Sequence, residues 1–446
     1  MSLIRAMATV GGLTAVSRMA GFVRDILTAA FLGGGPVADA FVVALKLPNF
    51  FRNVTAEGAF SVSFVPLYTE TLHKEGEQAA SKFAGQAFSV MATALSVFSA
   101  LVVVFMPYLM FLIAPGFEHH TLRYDLAVSY TRVTFFYLLL ISLVSLVGGM
   151  LNAHEKFGPF ASTSIYFNLC QIFVLLLVWV KYLHDPGMAL AWSVTISGVI
   201  QLVRLLWYLR KYKIPLAIAK PHVTERVKKL FNLMVPGVMG AGIIHINLFA
   251  DIVIASLLPV GGIAALYYAD RLFQLPLGVV GIAVGTALLP MLTKALAAGD
   301  TKQARDLFNR ALEYCLFFTV PAATALMVAR TELIHVLFVH GQYTMENAHR
   351  TAPALFFLAS GLPAYVAVKI FSSAYWSRQD TKTPVRISAT MAIVNIAVAL
   401  FMTRFIDVAG ISFATGMAGW VQCYFLWNGL RNDEATKFDA RLKRAA

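Results

Sequence analysis

Residues 7–32 read MATVGGLTAVSRMAGFVRDILTAAFL, an apolar run that carries Arg18, Arg24 and Asp25 in its interior. The run is long enough for a spanning helix, because a hydrocarbon core of about 30 Å needs about 20 apolar residues. An arginine at the centre of an isolated spanning helix costs about 2.5–3.5 kcal/mol, so it normally faces a protein interior or a wet cavity. The stretch therefore predicts a membrane helix that brings cations to a polar site.

The rest of the chain has the same apolar character. It has 446 residues, of which 59% are hydrophobic and 13% are charged, and its mean hydropathy is +0.71. These values exclude an ordinary soluble domain. Apolar stretches of spanning length predict an all-α polytopic membrane protein with about 12 transmembrane helices. The stretches begin near residues 7, 38, 83, 127, 160, 187, 231, 263, 311, 351, 385 and 408.

The net charge of +13 is distributed by loop, which indicates membrane topology and no nucleic-acid partner. Residues 204–229 are rich in lysine and arginine, whereas the turns at 33–36 and 259–262 carry no charge. By the positive-inside rule, the basic loops and both termini are expected in the cytoplasm, and the two glycine-rich turns outside. The other basic loops lie around Lys74, around Lys156, at 294–310 and at 378–386.

A weak internal repeat divides the chain. DILTAAFL at 25–32 aligns with DIVIASLL at 251–258, and further short matches follow in the same order. A parallel repeat with an even number of helices predicts two six-helix lobes, with a cargo site between them near the midplane. The predicted parts are an N-terminal lobe at 1–210, a basic cytoplasmic linker at 211–230, a C-terminal lobe at 231–430 and a polar basic tail at 431–446.

Two further arginines interrupt apolar sequence, Arg52 after the second segment and Arg271 in the eighth. Together with Arg18 and Arg24 they predict an anionic cargo that both lobes contact. Helix breakers are concentrated in the same segments, and we expect broken helices there that expose backbone amides to the anion. These breakers are Gly11, Gly12, Gly21, Pro48, Gly237, Gly240, Gly242, Pro276, Gly278, Gly281 and Gly285.

Four motifs carry a family resemblance. Residues 49–66, NFFRNVTAEGAFSVSFVP, are the longest of them, and SRMAGFVRD at 17–25, YADR at 268–271 and SRQDTKTP at 377–384 accompany it in order. With these motifs the chain resembles the MurJ/MviN lipid II flippases of the MOP superfamily. The resemblance implies a carrier and not an enzyme, in a bacterial inner membrane, which moves lipid II to the outer leaflet by alternating access.

The resemblance also implies a substrate site. Arg18, Arg24, Arg52 and Arg271 stand at the positions of the diphosphate ligands. A guanidinium fork suits phosphate because it can donate two parallel hydrogen bonds, which lysine cannot.

Several acids and a serine accompany these arginines. Ser17, Asp25, Asp39, Glu57 and Asp270 are candidate supporting or gating residues. Two of them have simpler explanations, because Asp39 can favour a helix N-terminus and Glu57 can pair with Arg52.

Asp251 is an acid within the seventh apolar segment. Some relatives have a sodium ligand there, with further ligands from the last two segments, where this chain has Asn395 and Thr415. The residues equally allow a structural ion pair or a protonated carboxylic acid, so sodium or the membrane potential is an open coupling source. No other cofactor and no firm metal site are expected.

The chain departs from the family pattern in two respects. Relatives commonly have helices 13 and 14, which the sequence up to Ala446 lacks, and Asn53 and Gln274 stand where charged residues are common. An exporter of drugs or lipid-linked polysaccharide from the same superfamily is the alternative. A third hypothesis is a membrane phosphosugar transferase, which would require magnesium-binding acids at a cytoplasmic face, and the loops show no comparable cluster. Expected partners are lipid II, membrane lipids and cell-wall synthesis proteins.

Overall fold

The computed structural model describes residues 3–52, 60–439 and 441–442, with side chains at all of these except 3–8, 61–62, 236–248, 279–280 and 282–287. Helices account for all regular structure in this part of the chain. The chain divides within one long helix into two compact units, Met1–Val253 and Ile254–Ala446. We call these unit 1 and unit 2. The boundaries predicted for the two lobes stay a prediction.

Unit 1 contains ten complete helices and most of an eleventh. They are α1 (Leu3–Leu32), α2 (Pro36–Phe51), α3 (Ser61–Glu75), α4 (Glu77–Val104), α5 (Met106–Ile113), α6 (Leu122–Thr134), α7 (Tyr137–Ala153), α8 (Phe157–Ala161), α9 (Thr163–Trp179), α10 (Pro186–Lys211) and α11 (Glu225–Ser256).

Unit 2 begins at the end of α11. Its helices are α12 (Gly262–Ala297), α13 (Thr301–Val328), α14 (Arg330–Phe338), α15 (Met345–Ser360), α16 (Leu362–Trp376), α17 (Lys382–Ile406) and α18 (Ala409–Leu430), followed by a 3-10 turn at Glu434–Thr436.

The apolar stretches found in the sequence correspond to helices. Every predicted start lies within a different helix, except that residue 408 immediately precedes α18. Among the described residues, seven helical stretches are long and apolar enough to cross a membrane, by length and composition. They are Glu77–Val104, Leu122–Ala153, Phe157–Trp179, Pro186–Lys211, Thr301–Val328, Met345–Trp376 and Lys382–Ile406. The chain is therefore an all-α, multi-pass membrane protein, and the number twelve stays a prediction.

The expectation of broken helices is wrong for the first, seventh and eighth segments. α1, α11 and α12 run without interruption through their glycines, and α12 also through Pro276. Apolar surroundings offer the backbone no other hydrogen-bond partner, so glycine stays helical there, and a proline removes only one donor. In the second segment, α2 ends at Phe51 and α3 begins at Ser61.

The predicted linker packs on the first turns of α4. The backbone N–H of Ala217 donates to Oγ of Ser81 at 3.0 Å, and Oγ1 of Thr224 donates to Oε1 of Gln86 at 3.0 Å. Gly85 lies beneath the linker, where a Cβ would come within 1.7 Å of the Ala217 carbonyl oxygen. The linker is thus held close to the helix surface by contacts that only a glycine permits.

The tail of unit 2 is attached to α13. Nε and Nη2 of Arg305 donate to the carbonyl oxygens of Lys437 and Phe438 at 3.0 and 3.2 Å. Nδ2 of Asn309 also donates to the Lys437 carbonyl, at 3.0 Å, and Leu442 is buried in the same core as α13 and α16. The described residues of the polar tail are therefore a packed part of unit 2.

Glycines let α18 approach its neighbours closely. A Cβ on Gly416 would lie 2.7 Å from the Phe357 carbonyl oxygen, and a Cβ on Gly419 would lie 2.9 Å from the Tyr365 ring. A Cβ on Gly429 would meet the Tyr375 hydroxyl at 2.2 Å. Small residues that permit such approach are a common basis of helix packing in membranes.

Candidate functional site

Arg24 lies on the buried side of α1, and its side chain has specific partners. Nε and Nη2 donate to Oδ1 of Asp25 at 3.1 and 2.7 Å, and Nη1 donates to Oδ1 of Asn168 at 2.9 Å. Arg24 is 8% exposed and Asp25 is 3% exposed. The ring of Phe167 lies 5.7 Å from the guanidinium carbon. The arginine is therefore oriented by its own helix and by α9.

Ser17 belongs to the same group of residues. Its carbonyl oxygen accepts a hydrogen bond from Nδ2 of Asn168 at 2.9 Å, and its Oγ lies 3.4 Å from the same nitrogen. The structure thus brings together Ser17, Arg24 and Asp25 of the predicted set. Asn168 was not predicted, although an asparagine in an apolar stretch is a recognisable signal.

The other two predicted arginines of unit 1 are more exposed than Arg24. Arg18 is exposed on α1, and Arg52 is half-buried at the C-terminal end of α2. The backbone N–H of Arg52 donates to the carbonyl oxygens of Asn49 and Pro48. Glu57, predicted as a partner of Arg52, lies outside the described residues.

Asp39 pairs with an arginine that the sequence analysis did not identify. It is fully buried in the first turn of α2, and its Oδ2 lies 3.1 Å from Nε of Arg123 in α6. The Arg123 guanidinium also lies over the ring of Phe117, 4.0 Å from its centroid. In this structure Asp39 therefore compensates a buried charge of the α2–α6 contact.

In unit 2, Arg271 and Asp270 follow each other on α12. The Arg271 guanidinium lies 4.6 Å from the centroid of the Tyr267 ring, and the side chain is half-buried. Oδ2 of Asp270 accepts from Nε2 of Gln274 at 2.5 Å. The aromatic face attracts the guanidinium and so helps to hold this cation in place.

Two lysines inside helices were also missed by the sequence analysis. Lys46 is half-buried in α2, and Lys369 is exposed on α16. Nζ of Lys369 would lie 2.9 Å from a Cβ placed on Gly281 of α12. Their signal was a lone lysine in an apolar run, the same signal that marked the arginines.

Two of the three predicted cation ligands are hydrogen-bonded neighbours. Nδ2 of Asn395 in α17 donates to Oγ1 of Thr415 in α18 at 3.3 Å. Oδ1 of Asn395 is buried and has no hydrogen-bond partner within the described part of the chain. Asp251 is half-buried in α11, in unit 1, whereas the other two residues belong to unit 2. The cation site stays a prediction.

Comparison of the chain with known proteins identifies the family to which it belongs. The family model described as lipid II flippase MurJ matches residues 28–444. A probable lipid II flippase MurJ of Rhizobium meliloti (strain 1021) is 38% identical over 432 residues, which cover 96% of this chain and 80% of the relative. The lipid II flippase MurJ of Burkholderia cenocepacia is 33% identical over 435 residues, which cover 97% of this chain and 84% of the relative.

Solved structures agree with the family model. A lipid II flippase MurJ in an inward closed conformation matches with a TM-score of 0.82 at 26% identity, covering 97% of this chain and 88% of that one. An inward-facing MATE family transporter of the MOP superfamily matches with a TM-score of 0.79 at 13% identity, over 96% of each chain, and shares the fold alone. The resemblance seen in the motifs is confirmed, and the chain belongs to the lipid II flippase MurJ family.

Proposed function

We propose that this chain is a lipid II flippase that moves undecaprenyl-diphosphate-linked peptidoglycan precursor from the inner to the outer leaflet of the bacterial cytoplasmic membrane. The observation that carries the proposal is the family match over residues 28–444, supported by relatives of 32–38% identity over nearly the whole chain. A carrier of this kind performs no covalent chemistry. Its work is to bind a charged headgroup inside a membrane and to release it on the other side.

The diphosphate is the part of the cargo that arginines recognise. Arg24 supports this role, because it is buried in α1 and its guanidinium is oriented by Asp25 and Asn168. A preorganised guanidinium loses little side-chain entropy on binding and can meet two phosphate oxygens at once. Arg18, Arg52 and Arg271 are the further ligands in this proposal.

Asp25 competes with the diphosphate for the Arg24 guanidinium. It holds two donors of Arg24 on one oxygen at 3.1 and 2.7 Å, in buried surroundings. A diphosphate with about two negative charges attracts the same guanidinium, so cargo binding weakens the Arg24–Asp25 pair. Ser17, Asp25 and Asp270 therefore have supporting roles. Release of the pair is the local event that couples occupancy to alternating access by two six-helix lobes.

The proposed topology has twelve spans with both termini in the cytoplasm. Loops predicted to be cytoplasmic lie together within each unit, which supports it. In unit 1, Arg226 of the linker pairs with Glu75, and Lys156 lies 5.2 Å from the Tyr212 ring. In unit 2, Arg378 pairs with Asp433 of the tail at 3.0 Å.

A coupling cation is the finer part of the proposal. Asn395 and Thr415 are hydrogen-bonded neighbours, and the buried amide oxygen of Asn395 is of the ligand type that sodium accepts. With Asp251 they would form the sodium site, and the membrane potential is the other driving force that the charge of the cargo allows.

The test is headgroup accessibility in reconstituted vesicles. Fluorescent lipid II is placed in the inner leaflet, and its arrival in the outer leaflet is followed with a membrane-impermeant quencher. We expect transfer with the wild-type protein, and loss of transfer with Arg24→Ala and with Arg271→Ala. Arg404→Ala is the matched control, because Arg404 is an exposed arginine near the end of α17.

Two outcomes would contradict the proposal. Absence of transfer by well-folded wild-type protein would reject the flippase function and favour an exporter of the same superfamily. Full transfer by the Arg24 and Arg271 variants, together with support of growth after depletion of the native flippase, would reject the arginine site alone.

A further inference from the structure

We infer that Asn168 of α9 is a positioning residue for Arg24, whose carboxamide fixes the plane of the guanidinium that receives the diphosphate. The inference deepens the proposed function and rests on it, because it takes Arg24 to be a ligand of the lipid II diphosphate.

The Asn168 side chain bridges two points of α1. It is 6% exposed, its Oδ1 accepts from Nη1 of Arg24 at 2.9 Å, and its Nδ2 donates to the Ser17 carbonyl oxygen at 2.9 Å. Only one orientation of the amide permits both bonds. Rotation by half a turn would set N–H groups against the guanidinium and an oxygen against a carbonyl oxygen.

Asp25 contacts the Arg24 guanidinium through one carboxylate oxygen. Both of its bonds from Arg24, through Nε and Nη2, end on the same oxygen, Oδ1. Two bonds to one acceptor oxygen define the guanidinium plane less well than bonds to two separate acceptors do. The bond from Nη1 to Asn168 supplies a second acceptor, on another helix, and thereby helps to define the plane of the guanidinium.

The bridge also accounts for an amide in an apolar helix. Asn168 lies in the run Tyr166-Phe-Asn-Leu-Cys-Gln171, where a leucine would be buried without desolvating polar atoms. Bonds to Ser17 and Arg24 offset that desolvation. Gln171, one turn further along α9, is equally buried, and its amide atoms have no hydrogen-bond partner within the described part of the chain. Burial of an amide in α9 is thus separable from contact with Arg24.

The experiment compares Asn168→Leu with Gln171→Leu in purified full-length protein. Each variant removes a buried carboxamide from the same face of α9. We expect Asn168→Leu to weaken binding of lipid II in detergent micelles by about tenfold or more, since a hydrogen bond to a charged group is lost. Gln171→Leu should bind within about twofold of the wild type. Equal weakening by both variants would overturn the inference.

A double-mutant cycle with Arg24→Ala shows whether Asn168 acts through Arg24. Once Arg24 is absent, Asn168→Leu should change lipid II binding by less than about twofold. Fully additive effects of the two substitutions would mean that Asn168 acts independently of Arg24, contrary to the inference.

The reactivity of Arg24 towards phenylglyoxal, measured by mass spectrometry, gives a readout that does not depend on cargo. Asn168→Leu should accelerate modification of Arg24, whereas Asn168→Asp keeps an acceptor for Nη1 and should protect Arg24 as the wild type does. Equal rates in the two variants would contradict the positioning role. If Arg24→Ala binds lipid II normally, the proposed site fails, and the modification rates still decide whether Asn168 holds Arg24.

Discussion

Asp39 and Arg123 form a pair in which both side chains are removed from solvent. Their side chains are 0% and 8% exposed, and the closest atoms are 3.1 Å apart. A pair of this kind contributes little net stability compared with apolar residues, but removal of one partner leaves a charge without its compensation. Asp39 is therefore a structural requirement of unit 1, whatever further role it has in transport.

We predict that Asp39→Asn destabilises the protein by about 3 kcal/mol, because the Arg123 charge loses its carboxylate in a buried place. Thermal unfolding in detergent, followed by loss of the monodisperse peak, measures the effect. Asp125→Asn is the control, since Asp125 is exposed on the same helix as Arg123. Equal melting temperatures for the two variants would show that the pair is not needed for stability.

The sequence identified Arg24 and Asp25, but it did not identify the residues of other helices that contact the predicted site residues. Arg24 and Asp25 are neighbours in the chain, and a charge in an apolar run is visible without a structure. Asn168 and Arg123 reach their partners from other helices, 144 and 84 positions away in sequence. Such contacts depend on which helices pack together, and a single sequence does not contain that information.

At the scale of elements, Gly85 of α4 determines how closely the linker can pack, because it has no Cβ where the linker backbone crosses the helix. We predict that Gly85→Ala lifts residues near Ala217 from α4, since a methyl group would lie 1.7 Å from a backbone carbonyl oxygen. Overpacking of this kind typically costs about 1–3 kcal/mol. Trypsin should then cut faster at Lys213 and Lys220, which flank the displaced segment.

Gly158→Ala is the matched control for the linker prediction. A Cβ there would make an ordinary contact with Thr9, at 3.7 Å. Unchanged proteolysis in Gly85→Ala would mean that the linker does not lie on α4 in the membrane-embedded protein.

His154, just beyond the Leu122–Ala153 span, predicts a pH dependence. Burial lowers its pKa, and its Nε2 lies 3.1 Å from the Tyr68 hydroxyl. The unfolded state, with a pKa of about 6.5, binds the proton more readily than the folded state. Its contribution to stability is therefore complete above about pH 6.5 and is lost as the pH falls towards the folded-state pKa.

Melting temperatures at about pH 7.5 and about pH 5.5 measure this effect. We expect the wild type to lose more stability on acidification than His154→Gln, which keeps a polar group near Tyr68 but does not titrate. The same loss in both proteins would assign the pH dependence to other groups.

Helix positions were predictable because a span needs a long apolar run, and the predicted starts all coincide with helices or immediately precede one. Breaks within the helices were not predictable in the same way. Glycine and proline break helices readily in water, where the backbone can form hydrogen bonds with solvent. In apolar surroundings that alternative is absent, and α1, α11 and α12 stay intact.

At the scale of the whole molecule, the topology can be tested by cysteine labelling. In a chain with Cys170, Cys315 and Cys423 replaced, we expect Gly34→Cys and Val260→Cys to react with an impermeant maleimide in intact cells. Lys74→Cys and Lys213→Cys should react only after the membrane is permeabilised, because basic loops stay in the cytoplasm. Labelling of Lys213→Cys in intact cells would invert the proposed orientation.

The interlocking of α16 and α18 limits how unit 2 can move. Tyr365 and Tyr375 are ten positions apart on α16, and the glycines that receive them, Gly419 and Gly429, are ten positions apart on α18. A slide of α18 by about one turn would bring side chains against the tyrosines at both points, which lie about 15 Å apart along the helix. The two contacts therefore oppose shear between these helices, and we expect α16 and α18 to move as one rigid body during transport. Any hinge in unit 2 has to lie outside this pair.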